Sequence, residues 1–146
     1  MVKVRALLVQ DEPAWRALFK AYIVFYRTSV ADDVIDLTWQ RLNSGAPDFH
    51  IGLVAVDDTD KPVGLAHVLF HRSTWSPTQY CYLEDLFVDP AARGGGIGRA
   101  LIAAVYAEAD TRGCTRTYWT TQEHNYRART LYDQVATKTP FIRYQR

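Results

Sequence analysis

A chain of 146 residues that is 48% hydrophobic and 23% charged is long enough for one core and too apolar to stay disordered. Its 17 basic and 16 acidic residues leave a formal net charge of +1, without the basic excess by which nucleic-acid binders neutralise phosphates. No apolar run reaches the roughly 20 residues that cross a bilayer, and MVKVRALLVQDE lacks the apolar core and cleavage site of a signal peptide, so the cytoplasm is the expected compartment.

The first strand is expected over VKVRALLV (2–9). EPAWRALFKAYIVFYR (12–27) carries Trp15, Leu18, Phe19, Tyr22, Ile23 and Tyr26 at helical spacing, with Asp11 as N-cap and Pro13 in the first turn. A second helix is predicted over 31–43, with Val34, Ile35, Thr38, Trp39 and Leu42 on one side and Gly45 and Pro47 as its stop. FHIGLVAVDD (49–58) and KPVGLAHVLFHRS (61–73) read as strands around a short turn, and 76–79 as a loop. YCYLEDLFV (80–88) is the next strand, followed by a glycine turn and a helix over 96–112 that Gly113 ends. A strand over 115–122, a helix over 125–136 and a last strand over 141–146 complete the order β-α-α-β-β-β-α-β-α-β. With no repeat or linker, residues 1–146 are read as one α/β (α+β) domain. It has a mixed, mostly antiparallel sheet with helices on both faces.

The turn Arg93-Gly94-Gly95-Gly96-Ile97-Gly98-Arg99 leads straight into a helix. A helix N-terminus exposes unpaired N–H groups with partial positive charge, and glycines let a ligand reach that backbone. Such a cradle suits a phosphate, with Arg93 and Arg99 as flanking cations. The dinucleotide fingerprint G-x-G-x-x-G fails in both registers, because its last position falls on Arg99 or Leu101. No lysine follows for a P-loop. R-x-x-G-x-G does fit, at Arg93, Gly96 and Gly98.

With this motif the chain resembles the GCN5-related N-acetyltransferases (GNAT), in which [QR]-x-x-G-x-[GA] binds the pyrophosphate of acetyl-CoA. YLEDLFVDP is similar to the strand that follows the pantetheine arm in that family. N-x-x-A-x-x-L-Y at Asn125, Ala128, Leu131 and Tyr132 is similar to its second cofactor element. The run from Gly113 to the end is particularly similar to the yeast histone and polyamine N-acetyltransferase branch, and YLED to the diamine acetyltransferases. The motifs cover the C-terminal half; the N-terminal half matches by element order. The resemblance implies an acyl-CoA N-acyltransferase fold and acetyl transfer from acetyl-CoA to a primary amine in a ternary complex. The acceptor classes it leaves open are a polyamine, a lysine side chain or an amino acid. Cofactor contacts are implied at Leu86, Phe87, Val88, Arg93, Gly94, Gly95, Gly96, Ile97, Gly98, Arg99, Asn125, Ala128 and Tyr132. Leu86 and Val88 would act through their backbone groups, an N–H stabilising the developing oxyanion.

Two carboxylates in an apolar strand need partners, a proton or a water-filled cleft. Strict alternation puts Asp85 with Cys81, Leu83 and Phe87, and Glu84 with Tyr82, Leu86 and Val88. An alkyl ammonium has a pKa near ~10.4 and must lose a proton before it attacks a thioester. Glu84 is the first candidate for the base and Asp85 the second; the bland reading is that either merely bonds backbone or an arginine. On the last helix, Ala128, Leu131, Tyr132 and Val135 share an apolar face, with Asn125 as cap. Periodicity alone makes Tyr132 a core tyrosine; the resemblance makes it the general acid to the CoA thiolate. His124 reads as a loop histidine or a further base.

His50, His67, His71 and His124 form no metal-ligand spacing, so no metal is expected. Cys81 and Cys114, the only cysteines, read as reduced thiols. Asp11, Glu12, Asp32, Asp33 and Asp36 are either groove acids for a cationic acceptor or caps and a solvated face, with Tyr22, Tyr26, Trp39 and Trp75 as candidate groove aromatics. Many relatives finish with two strands where this chain has room for one, so a homodimer through the C-terminal strand is expected. The rival readings are a CoA-binding sensor or interaction module without useful turnover, and a nucleotide binder of another class.

Overall fold

The computed structural model describes residues 2–45 and 50–146, so Pro47 and Phe49 lie outside the described residues. The elements are β1 (Lys3–Ala6), α1 (Glu12–Phe25), α2 (Asp32–Leu42), β2 (His50–Val56), β3 (Pro62–Arg72), β4 (Gln79–Val88), α3 (Ile97–Thr111), β5 (Arg116–Tyr118) and α4 (Tyr126–Val135), with short 3-10 turns at 9–11 and 90–92. They form one sheet in the order β1-β2-β3-β4-β5. All neighbours are antiparallel except β4 and β5, as a crossover through α3 demands.

Helices cover both faces of the sheet. On one, Leu53, Ala55, Ala66, Val68, Phe70, Cys81 and Leu83 meet Leu101, Ile102, Val105 and Ala109 of α3. On the other, Val54, Val56, Leu65 and Phe87 meet Trp15, Leu18, Phe19 and Ile23 of α1, and Ile35 and Leu42 of α2. The period-2 alternation of the strands divides these two sets. Gly64 brings α3 close: a Cβ there would lie 3.1 Å from Ile97 and 3.2 Å from Leu101. The first turn of α3 is thereby held beside the end of β4. At its other end Gly113, at φ 68, donates to Asp110 O, and Cys114 N donates to Ala109 O, the expected glycine stop.

Two expectations need correction. The strand over 115–122 shrinks to Arg116–Tyr118, paired with β4 only at 80–82. Residues 141–146 form no strand; Phe141, Ile142 and Tyr144 are 76 to 89% exposed. A strand exists only where a partner supplies its hydrogen bonds, and no described residue pairs with this segment.

Candidate active site

The acids of β4 sit at a β-bulge. His67 pairs with Asp85 and Val68 with Leu83, so Glu84 has no partner on β3. The extra residue reverses the alternation. Cys81 and Leu83 face α3 before it, as do Leu86 and Val88 after it, while Phe87 faces α1. The expected strict alternation through Glu84 and Asp85 is therefore wrong. The Asp85 side chain is 17% exposed, with its Oδ2 2.8 Å from His67 Nδ1, and its charge reaches Tyr22 of α1. Glu84 is exposed; burial first, and then its charge, push the Tyr82 and Tyr118 phenols up. Of the two carboxylates, only Asp85 is enclosed.

Beyond Tyr82 the β5-facing edge of β4 has no ladder partner among the described residues, while its other edge stays paired to β3 as far as Val88. This leaves Leu86 and Val88 with backbone groups facing an opening, where an extended ligand can add as a strand. Between the end of α1 and the loop before α4 lies a cavity of about 450 Å³ lined by Phe25, Tyr26, Arg27, Gln122, His124 and Asn125. Tyr132 feels Tyr26 electrostatically and packs edge-on against Trp119 at 5.4 Å. Burial, reinforced by Tyr26, pushes the Tyr132 phenol up to about 12, so it stays a proton donor at neutral pH.

The glycine turn fits a diphosphate. Gly94 and Gly96 take left-handed φ values of 94° and 77°, and a Cβ at 94, 95 or 96 would meet nothing within 4 Å. Gly96 is the N-cap of α3, and its carbonyl accepts from Ala100 N, so the N–H groups of 97–99 precede the helical ladder. Gly98 differs from the others: a Cβ there would lie 3.2 Å from Leu131, so this glycine admits α4 against α3. Arg93 lies over the Phe87 ring at 5.9 Å, and Arg99 is hydrogen-bonded to Gln134 of α4.

Several candidates stand elsewhere than expected. Asn125 occupies the N-cap position of α4 but makes no side-chain cap bond; its amide donates to Thr121 Oγ1 at 3.3 Å, at the cavity wall. Asp11 caps no bond of α1 either. It is 3% exposed, bound twice by the Arg5 guanidinium and by Leu8 N, and Arg5 holds its carboxyl below the usual range. Glu12 and Asp36 both pair with Arg16, and Asp32 with Lys20. Asp36 and Asp32 thus tie α2 to α1, while Glu12 pairs within α1. Trp39 packs on Trp15 at 5.0 Å, inside the core, and Trp75 is 85% exposed on a turn. Cys81 is buried, which pushes its thiol up to about 11, and both cysteines are free. The described residues hold no cluster suited to a metal.

The sequence reading missed His67 and Trp15. A histidine inside VGLAHVLF was a signal that could have been used, because a buried imidazole requires partners.

Comparison with solved structures agrees with this architecture. The structure of AAC(6')-Iy with the bisubstrate analogue CoA-S-monomethyl-acetylneamine superposes with a TM-score of 0.85 at 20% identity, covering 100% of this chain and 97% of that one. An aminoglycoside acetyltransferase from an uncultured soil metagenome, in complex with trehalose, gives 0.79 at 20% identity, covering 99% and 95%. The model of the acetyltransferase (GNAT) family matches residues 14–136. The chain belongs to that family, and it is an N-acetyltransferase that moves the acetyl group of acetyl-CoA to an amine. It is 36% identical to the D-amino-acid N-acetyltransferase HPA3 of Saccharomyces cerevisiae over 99% of this chain and 90% of that protein. It is 39% identical to the thialysine N-epsilon-acetyltransferase of Bos taurus over 48% of this chain and 41% of that protein.

Proposed function

We propose that the acceptor is the primary amine of a free amino acid, and that it attacks the thioester directly in a ternary complex. The N–H groups of residues 94–99 would hold the pyrophosphate of acetyl-CoA, and the free edge of β4 at Leu86 and Val88 its pantetheine arm. Bound acetyl-CoA supplies an activated acyl group. Asp85 takes the proton that the ammonium must lose, and Glu84, exposed on the bulge, serves in attracting the cation. Tyr132 gives a proton to the departing thiolate and needs no shifted pKa to do so. The observation that carries this reading is an enclosed Asp85, held by His67, on the stretch of β4 that has no β5 partner among the described residues. The amino-acid acceptor rests on the yeast relative, which matches along nearly the whole chain.

We further infer a single catalytic domain that acts as a homodimer, the exposed tail with Phe141, Ile142 and Tyr144 pairing with the free edge of β5 in another copy. No helix among the described residues is long and apolar enough to cross a membrane. Two free thiols support a reducing, cytoplasmic setting. Thiol release from acetyl-CoA, measured across D- and L-amino acids, polyamines and a lysine peptide, tests the acceptor. The largest kcat/KM is expected for an amino acid. A polyamine or peptide exceeding every amino acid would overturn the assignment, and a monomeric mass in solution would overturn the dimer.

A further inference from the structure

The Trp15 indole N–H donates to His67 Nε2 at 2.8 Å, and His67 Nδ1 stands 2.8 Å from Asp85 Oδ2. Trp15 is 0% and His67 2% exposed, so no solvent competes for these bonds. An indole can only donate, so Nε2 must present a lone pair to it. The ring proton is then on Nδ1, where the Asp85 carboxylate can accept it. Trp15 thereby selects the tautomer; the other one would set a lone pair against a carboxylate oxygen. Phe19 closes this pocket, edge-on to the imidazole at 4.9 Å.

On the open side of Asp85 stand Tyr22, which feels the carboxylate's charge, and Tyr26, whose ring meets that of Tyr22 edge-on at 5.0 Å. Tyr26 also lines the cavity. The imidazole and indole close the inner end of the Asp85 site.

We infer that Trp15 and His67 are positioning residues that fix Asp85 to receive the proton of the acceptor ammonium. The inference rests on Asp85 as the proton acceptor and adds the groups that hold it. The N–H bond of the ammonium breaks as its proton joins the Asp85 carboxylate, directly or through water, and leaves a neutral amine. When the amide forms, the second amine proton returns to Tyr132 the one it gives the thiolate.

The test uses the full chain with ¹⁵N-labelled histidine and three variants. At neutral pH the His67 ring is expected to show its proton on Nδ1 and a bare Nε2; a proton on Nε2 overturns the inference. Asp85→Asn tests the underlying reading, because wild-type kcat in that variant removes both. If Asp85→Asn is impaired, His67→Leu is expected to lower kcat about 30-fold, the order of a lost hydrogen bond to a charged group, with the acetyl-CoA KM unchanged. His67→Gln, whose amide can donate to Asp85 and accept from Trp15, is expected to recover most of that loss. Equal kcat for His67→Leu and His67→Gln would overturn the inference while leaving Asp85 as the base.

Discussion

The two faces of the sheet are equally buried and differ in what they bury. The α3 face is a dry apolar layer in which Leu101, Ile102 and Val105 fill the space above Ala66, Val68 and Leu83. The α1 face holds the same kind of aliphatic packing at Val54 and Leu65, but places Trp15, His67 and Asp85 beside it in one hydrogen-bonded row. Buried polar groups cost free energy unless each is satisfied, and they specify one arrangement when it is. The α3 face therefore serves stability and holds the turn that faces the cofactor. The α1 face gives up some apolar burial and keeps an enclosed carboxylate in a fixed position.

That contrast breaks if damage on one face produces the signature expected of the other. The largest expected effect is Asp85→Asn, which should lower kcat by about 10²- to 10⁴-fold, the worth of a general base. Its acetyl-CoA affinity should stay within a few-fold of wild type by calorimetry, since the asparagine is isosteric. Leu101→Ala should do the reverse. It should lose about 2–5 kcal/mol of stability in a urea titration, while the folded fraction keeps its kcat. A similar loss of turnover in both variants would erase the distinction between the faces.

Smaller effects sharpen it. Gly96→Ala forces a left-handed φ of 77° on a residue with a Cβ, at a cost of about 1–2 kcal/mol. It should raise the acetyl-CoA KM about 10-fold and lower the melting temperature by only a few degrees, because its Cβ would meet nothing within 4 Å and the backbone strain alone counts. The smallest effect concerns Asp11. Arg5 lowers its pKa in the folded state, so its contribution is complete above the ordinary carboxylate value of 3.8 and fades as pH falls through the folded value. Asp11→Asn should flatten the loss of thermal stability below pH 4, without changing kcat at neutral pH.

How much of this the sequence disclosed depends on the range of the interaction involved. The glycine turn was legible because a helix start on left-handed glycines is a local matter, settled by Gly94 and Gly96 themselves. The helices and central strands were legible from period alone. The bulge was not, since an unpaired Glu84 depends on what β3 places opposite it and changes no residue type in β4. Alternation counted past it and put Asp85 and Leu83 on one face. FIRYQR alternates as a strand should, yet pairing is decided by a distant partner. Asn125 has the residue type of a cap, but its amide is drawn to Thr121 instead. His67 was visible as an imidazole among aliphatic residues, and only its partners, fifty-two residues before in Trp15 and eighteen after in Asp85, required the fold.

The account turns on the enclosed carboxylate of β4 taking the amine's proton. Single-turnover acetyl transfer by Asp85→Asn, saturated with acetyl-CoA and with an amino-acid acceptor, measures that step directly. The predicted rate is at least about 100-fold below wild type. A rate within threefold of wild type would contradict the account.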